Sequence, residues 1–427
     1  MVETVQNEVA TMIQVHRRFT VEQVKVLFEG YLQGNLSRTD VEGMLEIGKT
    51  RFFALLKAYR QAPESFSIAY QRSTSGRLSQ QAEQKIKGEL LRERALIEDP
   101  DLPIHDYNYS ALADRLKKKG IQVSTTTITK RAKALGCYQP RKKKAVHDRE
   151  VLTASIGDLI QHDASFHRWS PYADKKWTLI TSIDDYSRML LYAEFVTIEN
   201  TWTHIQATQA LMQAFGLPLR YYVDNLRVFR FVQYRDSFWR NQHLGTDEVD
   251  PQWRQVLRKL NVEVVYALSP QAKGKVERPY RWLQDRIVRT CALEKISSFE
   301  ETRAVLREEV HRYNYQQVHS TTGEIPAIRF EKAKKAGNSL FRPFALPQPY
   351  KSVKDVFCLR TTRIVDAYRR ISLDRHTIKV PKVEVHEDVE LHLIPDFAKN
   401  ALEVRIWFQD RMLHSVNLPL NEFRNLG

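Results

Sequence analysis

The sequence predicts a multidomain chain with three kinds of architecture. Two all-α helix-turn-helix units come first, an α/β core follows, and a small β-barrel closes the chain. Three observations predict this. Amphipathic helices separated by glycine turns fill the chain up to residue 138. After residue 150 short apolar strands appear and then alternate with helices, which indicates a mixed sheet flanked by helices. After residue 350 the pattern changes to short alternating strands at regular intervals, the signature of a small barrel. The expected boundaries are 1–70 and 71–138 for the helical units, 139–150 for a basic linker, 151–336 for the core, 337–350 for a proline-bearing linker and 351–427 for the barrel.

In the first unit, Val21, Val24, Leu27 and Tyr31 recur at helical spacing, and Gly34 and Asn35 stop that helix. Ser37 is a good N-cap for the next helix, with Asp40 three residues on in the place of a capping box. Gly48 turns the chain into KTRFFALLKAYRQ, which puts Lys49, Thr50 and Arg51 at a helix start, where recognition helices meet bases. The second unit repeats the idea. Residues 78–99 form a long amphipathic helix, 107–119 a second with Ser110 as its N-cap, and Gly120 ends it. Ser124 then opens a third helix, with Thr125, Thr126 and Thr127 at its start and Lys130 and Arg131 behind. Each unit reads as a DNA-binding helix-turn-helix, against the alternative of a small protein-interaction bundle. The linker carries Arg141, Lys142, Lys143 and Lys144, either a solvated run or a track for a phosphate backbone.

The core opens with DLIQHDASF, KWTLITSIDD and MLLYAEFV, the last two joined by a hairpin at Asp184, Asp185 and Ser187. The helix NTWTHIQATQALMQAFG, the strands LRYYV and VEVVYA (262–267) and a further helix follow. The C-terminal strands are read as RRISLDRHTIKV, KVEVHEDVELHLI, ALEVRIWFQ and RMLHSVNL.

Charge narrows the partner. Lys and Arg number 66 against 51 Asp and Glu, a net +15, which favours a polyanion. Cys137, Cys291 and Cys358 are far apart with no CxxC pair, which argues against a disulfide framework or a zinc site. The N-terminus lacks a signal-peptide core and no apolar run approaches a membrane span, so a soluble, cytoplasmic protein with no membrane partner is expected.

Three carboxylates carry the chemistry. Asp163 sits inside an apparent strand, where aspartate is depleted and an unpaired carboxylate is costly. Asp224 ends a strand, and Glu277 lies in the opening turn of a helix within SPQAKGKVERPYRWLQDRI (269–287). Each has an ordinary alternative: a strand end facing water, a turn, a helix dipole. Together they are a hard-oxygen donor set suited to Mg²⁺. Two ions roughly 3.5–4 Å apart suffice to activate an attacking oxygen and stabilise a leaving one. His162, next to Asp163, points to the opposite face of the strand and packs behind the site.

A strand Asp, a strand-end Asp-Asn and SPxxKGxVE on a helix resemble the DDE catalytic core of the retroviral integrase superfamily, an RNase H-like fold. With two helix-turn-helix units before the core and a barrel after it, nearly the whole chain resembles bacterial insertion-sequence transposases, the ISNCY-type group among them. The resemblance implies that Asp163, Asp224 and Glu277 are catalytic metal ligands for two Mg²⁺ (or Mn²⁺) ions. It implies cleavage by water to a 3′-OH, attack of that 3′-OH on target DNA, double-stranded transposon ends and target as partners, and a homo-oligomer on DNA, bound to the nucleoid. Two departures stand out. Asp224 and Glu277 are 277 − 224 = 53 residues apart, longer than the retroviral gap, and the extra length (226–255) either touches DNA or is a surface insertion. The lysines expected four and seven residues after the glutamate are Arg281 and Gln284 here, with Lys273, Lys275 and Arg278 as compensating charges at the DNA. The alternative functions are a DNA-binding regulator with an inactive core, and a metal nuclease without strand transfer.

Overall fold

The computed structural model describes residue 15 and residues 18–68, 78–140, 153–223, 252–266 and 277–423, with the backbone alone at 277 and 278. The chain forms two compact units, Met1–Gln81 and Ala82–Gly427.

The first unit is a three-helix bundle of α1 (Val21–Leu32), α2 (Arg38–Leu45) and α3 (Lys49–Gln61). Thr20 with Gln23, and Ser37 with Asp40, form reciprocal capping boxes that satisfy the orphan N–H groups of α1 and α2. Gly48 caps α3 without a side chain. The core gathers Val24, Phe28, Val41, Leu45, Phe52 and Leu56, while Val21, Leu27 and Tyr31 are packed at its edge.

In the second unit α4 (Gln80–Glu98), α5 (Tyr109–Lys118) and α6 (Thr125–Ala134) come first. Ser124 caps α6 as expected. The cap of α5 is Asn108, not Ser110: the Asn108 Oδ1 accepts from Ala111 N at 2.9 Å, and Ser110 lies inside the helix. The amide oxygen reaches a first-turn N–H, and the serine hydroxyl accepts instead from a core arginine, Arg286, at 3.1 Å. Gly120 takes φ +77, the left-handed turn that a Cβ would oppose.

The core sheet contains β1 (Leu159–His167), β2 (Trp177–Asp184), β3 (Leu190–Val196), β4 (Arg220–Val223) and β5 (Glu263–Tyr266). Its order is β3-β2-β1-β4-β5. The first three strands pair antiparallel, and β4 and β5 run parallel to β1. This is the expected mixed sheet. Against one face lie α7 (Thr201–Phe215) and α8 (Gln252–Lys259), packed with Ile160, Tyr221 and Val223. Against the other lie α9 (Glu277–Glu294) and α10 (Phe299–Tyr315), packed with Leu179, Ile183 and Trp169. Between two helical layers β2 is buried along its whole length, its polar members Thr178, Thr181, Ser182 and Asp184 included. The β2–β3 hairpin is held by Asp184, whose carboxylate accepts from Ser187 N at 2.8 Å and Gly157 N at 2.9 Å. The helix α11 (Pro326–Lys335) completes the core.

The proline-bearing segment read as a linker is strapped to the core. Phe341, Phe344 and Tyr350 pack on the α7–α8 cluster, and Leu217 and Arg342 exchange backbone hydrogen bonds of 2.7 and 2.9 Å. Gly216 makes this approach possible. Its φ is +98, and a Cβ there would meet the Arg342 carbonyl oxygen at 2.5 Å.

Beyond the short helix α12 (Val353–Val356), the expected barrel is not closed. The strands β6 (Leu359–Ile364), β9 (Asp388–Asp396), β10 (Ala401–Phe408) and β11 (Arg411–Pro419) make an open sheet of order β11-β10-β9-β6. A separate hairpin pairs β7 (Arg370–Leu373) with β8 (His376–Lys379). The stretch read as one strand, RRISLDRHTIKV, folds back on itself at Asp374, which has φ +50. The open sheet seals one face against its own apolar cluster. At its margin Gln252 of α8 exchanges hydrogen bonds with the Arg360 backbone of β6, at 2.8 and 2.6 Å. The three cysteines are free and buried.

Candidate metal-binding and DNA-binding site

Asp163 is half-buried on β1, next to the parallel strand β4. The last ladder pair between these strands is Gln161 with Tyr222. Asp163 and Asp224 each follow that pair by two residues in sequence, in strands running the same way. Asp224 itself lies outside the described residues. Glu277 is the first residue of α9, and its side chain is outside them too.

Across the sheet, Asp163 is paired with Thr181 of β2. The Thr181 hydroxyl donates to the Tyr280 phenol oxygen at 2.7 Å, and Gln284 Nε2 reaches Ser165 Oγ at 3.3 Å. Positions 277, 280 and 284 share one face of a helix by their spacing of three and four. The α9 face that begins with Glu277 therefore continues over the strand face of Asp163 and Ser165. Burial raises the Tyr280 phenol well above its ordinary pKa, and the charge of Asp163 adds to that. Tyr280 and Thr181 were not evident in the sequence. Their only signal was the spacing of Tyr280 from Glu277.

His162 packs behind this face. Its Nδ1 is 2.8 Å from Ser182 Oγ and its Nε2 is 2.9 Å from His204 Nδ1. Its ring stacks on Trp253 at 5.8 Å. Desolvation, then the neighbouring His204, push its pKa well down, so it is a neutral wall of the core rather than a charged group.

Of the two positions where lysines were expected, Arg281 is exposed on α9, while Gln284 is turned to the sheet and held by Ser165. Lys273 and Lys275 lie outside the described residues, as do Arg141, Lys142, Lys143 and Lys144; Arg278 is described by its backbone alone. Among the described residues no group of three His, Cys, Asp or Glu gathers at metal-binding distance.

Lys49, Thr50 and Arg51 are all exposed at the start of α3. On α6, Thr125, Thr126 and Lys130 are exposed, and the Thr127 hydroxyl lies 3.0 Å from the Ser124 cap. Arg131 is paired within the protein: its Nε donates to Glu83 Oε2 of α4 at 2.8 Å. That pair lowers the Glu83 pKa and ties α6 to α4. Lys133, exposed on the same helix, sits over the Tyr138 ring at 4.7 Å.

No family model matches the chain. Two curated proteins do. One, from Sinorhizobium fredii and provisionally named transposase y4bF, is 29% identical over 307 residues, covering 70% of this chain and 62% of its own length. The other is the transposase for insertion sequence IS1202 of Streptococcus pneumoniae, 30% identical over 173 residues, which is 40% of this chain and 36% of that protein. The chain thus spans less than two thirds of either relative. Among solved structures, the catalytic core domain of BIV integrase is 16% identical, covering 42% of this chain and 98% of that one at a TM-score of 0.30. The HTLV-2 integrase core in complex with magnesium is 14% identical, covering 41% and 96% at 0.31. A simian T-cell lymphotropic virus intasome in complex with PP2A regulatory subunit B56 gamma is 12% identical, covering 72% and 92% at 0.34. The resemblance to insertion-sequence transposases that the motifs carry is borne out by the two curated relatives.

Proposed function

We propose that this chain is a DDE-type DNA transposase, a polynucleotidyl transferase that nicks element ends to a 3′-OH and joins them to target DNA. The reading rests on one arrangement. Asp163 stands on the middle strand of the mixed sheet, beside the parallel strand that runs into Asp224, beneath the helix that Glu277 opens. It agrees with the transposase names of the curated relatives.

Asp163, Asp224 and Glu277 would hold two Mg²⁺ or Mn²⁺ ions, and an all-carboxylate donor set fits such hard cations. Bound there, the ions would polarise the phosphodiester and the attacking oxygen. The rest is the work of the chain. The two helical units bind double-stranded element ends, with Lys49, Thr50 and Arg51 on α3 and Thr125, Thr126, Thr127 and Lys130 on α6 nearest the bases. Arg281, exposed one turn past Glu277, holds a backbone phosphate. The open C-terminal sheet supports the core from α8, and the protein acts as a homo-oligomer on DNA of the cytoplasmic nucleoid.

The test is strand transfer by purified protein with Mg²⁺ and DNA bearing the gene's own flanking ends. Asp163→Asn, Asp224→Asn and Glu277→Gln should each abolish nicking and joining while end binding survives. Full activity in any one of them sinks the ligand assignment. Nicking without joining would mark a nuclease, and end binding without nicking a regulator.

A further inference from the structure

The helix that opens at Glu277 is held on two sides. One face, with Tyr280 and Gln284, meets the sheet. Another face, nine to twelve residues along, meets α4 and α5 through buried ion pairs beside an apolar cluster. Arg289 is buried, 1% exposed, and its guanidinium donates to Glu93 of α4 at 2.6 Å, to the Asp106 carbonyl at 2.8 Å and to Asp285 at 2.7 Å. Glu93 has no exposure at all and also accepts from Arg115 of α5 at 2.6 Å. Arg286, 3% exposed, donates to Asp114 of α5 at 2.7 Å and to Ser110 at 3.1 Å. The Asn108 cap of α5 bonds Asp285. Among the described residues, Leu96, Leu102 and Ile104 form an apolar cluster here with Val288 and Ala292, with Ile97 and Leu293 packed against it. A cavity of about 200 Å³ lined by charged side chains runs along it.

Stability alone does not ask for such a seam. Apolar residues of similar volume usually serve as well as buried ion pairs, whereas forked arginine contacts fix orientation. The α6 helix belongs to the same body: Arg131 ties it to Glu83, Arg94 of α4 donates to the Leu135 carbonyl at 2.7 Å, and the Tyr109 hydroxyl donates to the Cys137 carbonyl at 2.9 Å.

We propose that Arg286 and Arg289 are positioning residues that make α4–α6 and α9 one rigid caliper, so that the phosphodiester cut lies a set number of base pairs from the DNA read by α6. This rests on the transposase reading above and adds a spacing rule to it. Glu277 then receives its DNA by measurement from α6 rather than by base contacts of its own.

The experiment maps nick positions at single-nucleotide resolution, with full-length protein, Mg²⁺ and end DNA whose α6 footprint is assigned by the protection lost in Lys130→Ala. Inserting one base pair between that footprint and the terminus should move the nick by one. In Arg289→Lys, nicks should spread over adjacent phosphates, and the share at the original position should fall about fivefold with end affinity unchanged. The double variant E93M/R289M guards against loss of fold, because Arg115 keeps Glu89 and Asp285 keeps Asn108 as partners. It should bind and show the same spread. A nick that stays put after the insertion, or variants that lose yield without spreading, would overturn the caliper. A wild-type protein with no metal-dependent nick on any end DNA would overturn the transposase reading itself, and the caliper with it.

Discussion

The Thr181 hydroxyl and the Tyr280 phenol share a hydrogen bond of 2.7 Å that joins the ladder partner of Asp163 to the helix opened by Glu277. Both residues are buried. The bond is therefore a direct tie between the strand side and the helix side of the proposed metal site. Tyr280→Phe should cost about 1–3 kcal/mol, because it leaves the Thr181 hydroxyl without its partner. It should also raise the Mg²⁺ concentration needed for half-maximal nicking. Urea unfolding and a metal titration check the two effects. A variant as stable as the parent, with an unchanged metal requirement, would remove Tyr280 from the support of the site.

On α6 the two basic residues behind the N-terminus should behave differently. Lys130 is exposed, so Lys130→Ala should weaken end binding and reduce the slope of log affinity against log salt by about one. Arg131 is paired with Glu83, so Arg131→Ala should change stability little, the pair being partly exposed, and leave the salt slope nearly unchanged. Salt-dependent binding curves for the two variants separate the roles. Equal slopes would mean that the Glu83 pair opens on DNA.

Gly216 should resist replacement. Its positive φ and the Arg342 carbonyl at 2.5 Å from a would-be Cβ both oppose a side chain. Gly216→Ala should destabilise by about 1–3 kcal/mol, read as a lowered thermal midpoint. An unchanged midpoint would show that the 337–350 strap is not tied down at this point.

Acid should loosen the seam between α8 and the C-terminal sheet. Glu390 of β9 is held down to about 2 by its hydrogen bond to His392, with Lys259 and Arg360 adding to it against a desolvation cost. A carboxylate lowered on folding stabilises above its unfolded pKa near 4.5, and that stability is lost as pH falls from there toward 2. His392, pushed below 6.5 by burial, loses stability in the same direction over the range beneath 6.5. Urea midpoints between pH 7 and 3 should fall, and Glu390→Gln should flatten the fall below pH 4.5. An identical acid limb in that variant would exclude Glu390 as its source.

Local chemistry made much of this molecule legible from residues alone. Ser37 with Asp40, Ser124, Gly120 and the Asp184–Ser187 turn are signals within a few residues of each other, and the backbone obeys them. The α5 cap is ambiguous from sequence because Asn108 and Ser110 are both good caps in isolation. In the structure Asn108 caps the helix, and Ser110 is engaged by Arg286, 176 residues away in sequence. The open C-terminal sheet escaped pattern reading for a related reason. Alternation says which face of a strand is apolar, but closure depends on whether the first and last strands meet, and that is a long-range fact.

The amino-acid order by itself determined the element types, the caps at Ser37 and Ser124, the turns, the excess of basic residues, and the three carboxylates that suggest hard-cation chemistry at DNA. These follow from side-chain periodicity, backbone preference and donor chemistry, all of which act over a few residues. Only the tertiary structure decided which face of α9 meets Asp163, that burial keeps His162 neutral, that Arg131 pairs with Glu83, and that Arg286 and Arg289 join α4 and α5 to α9. Those outcomes depend on burial and on partners distant in sequence. A charge or a hydroxyl takes its meaning there from what the fold places within 3 Å of it.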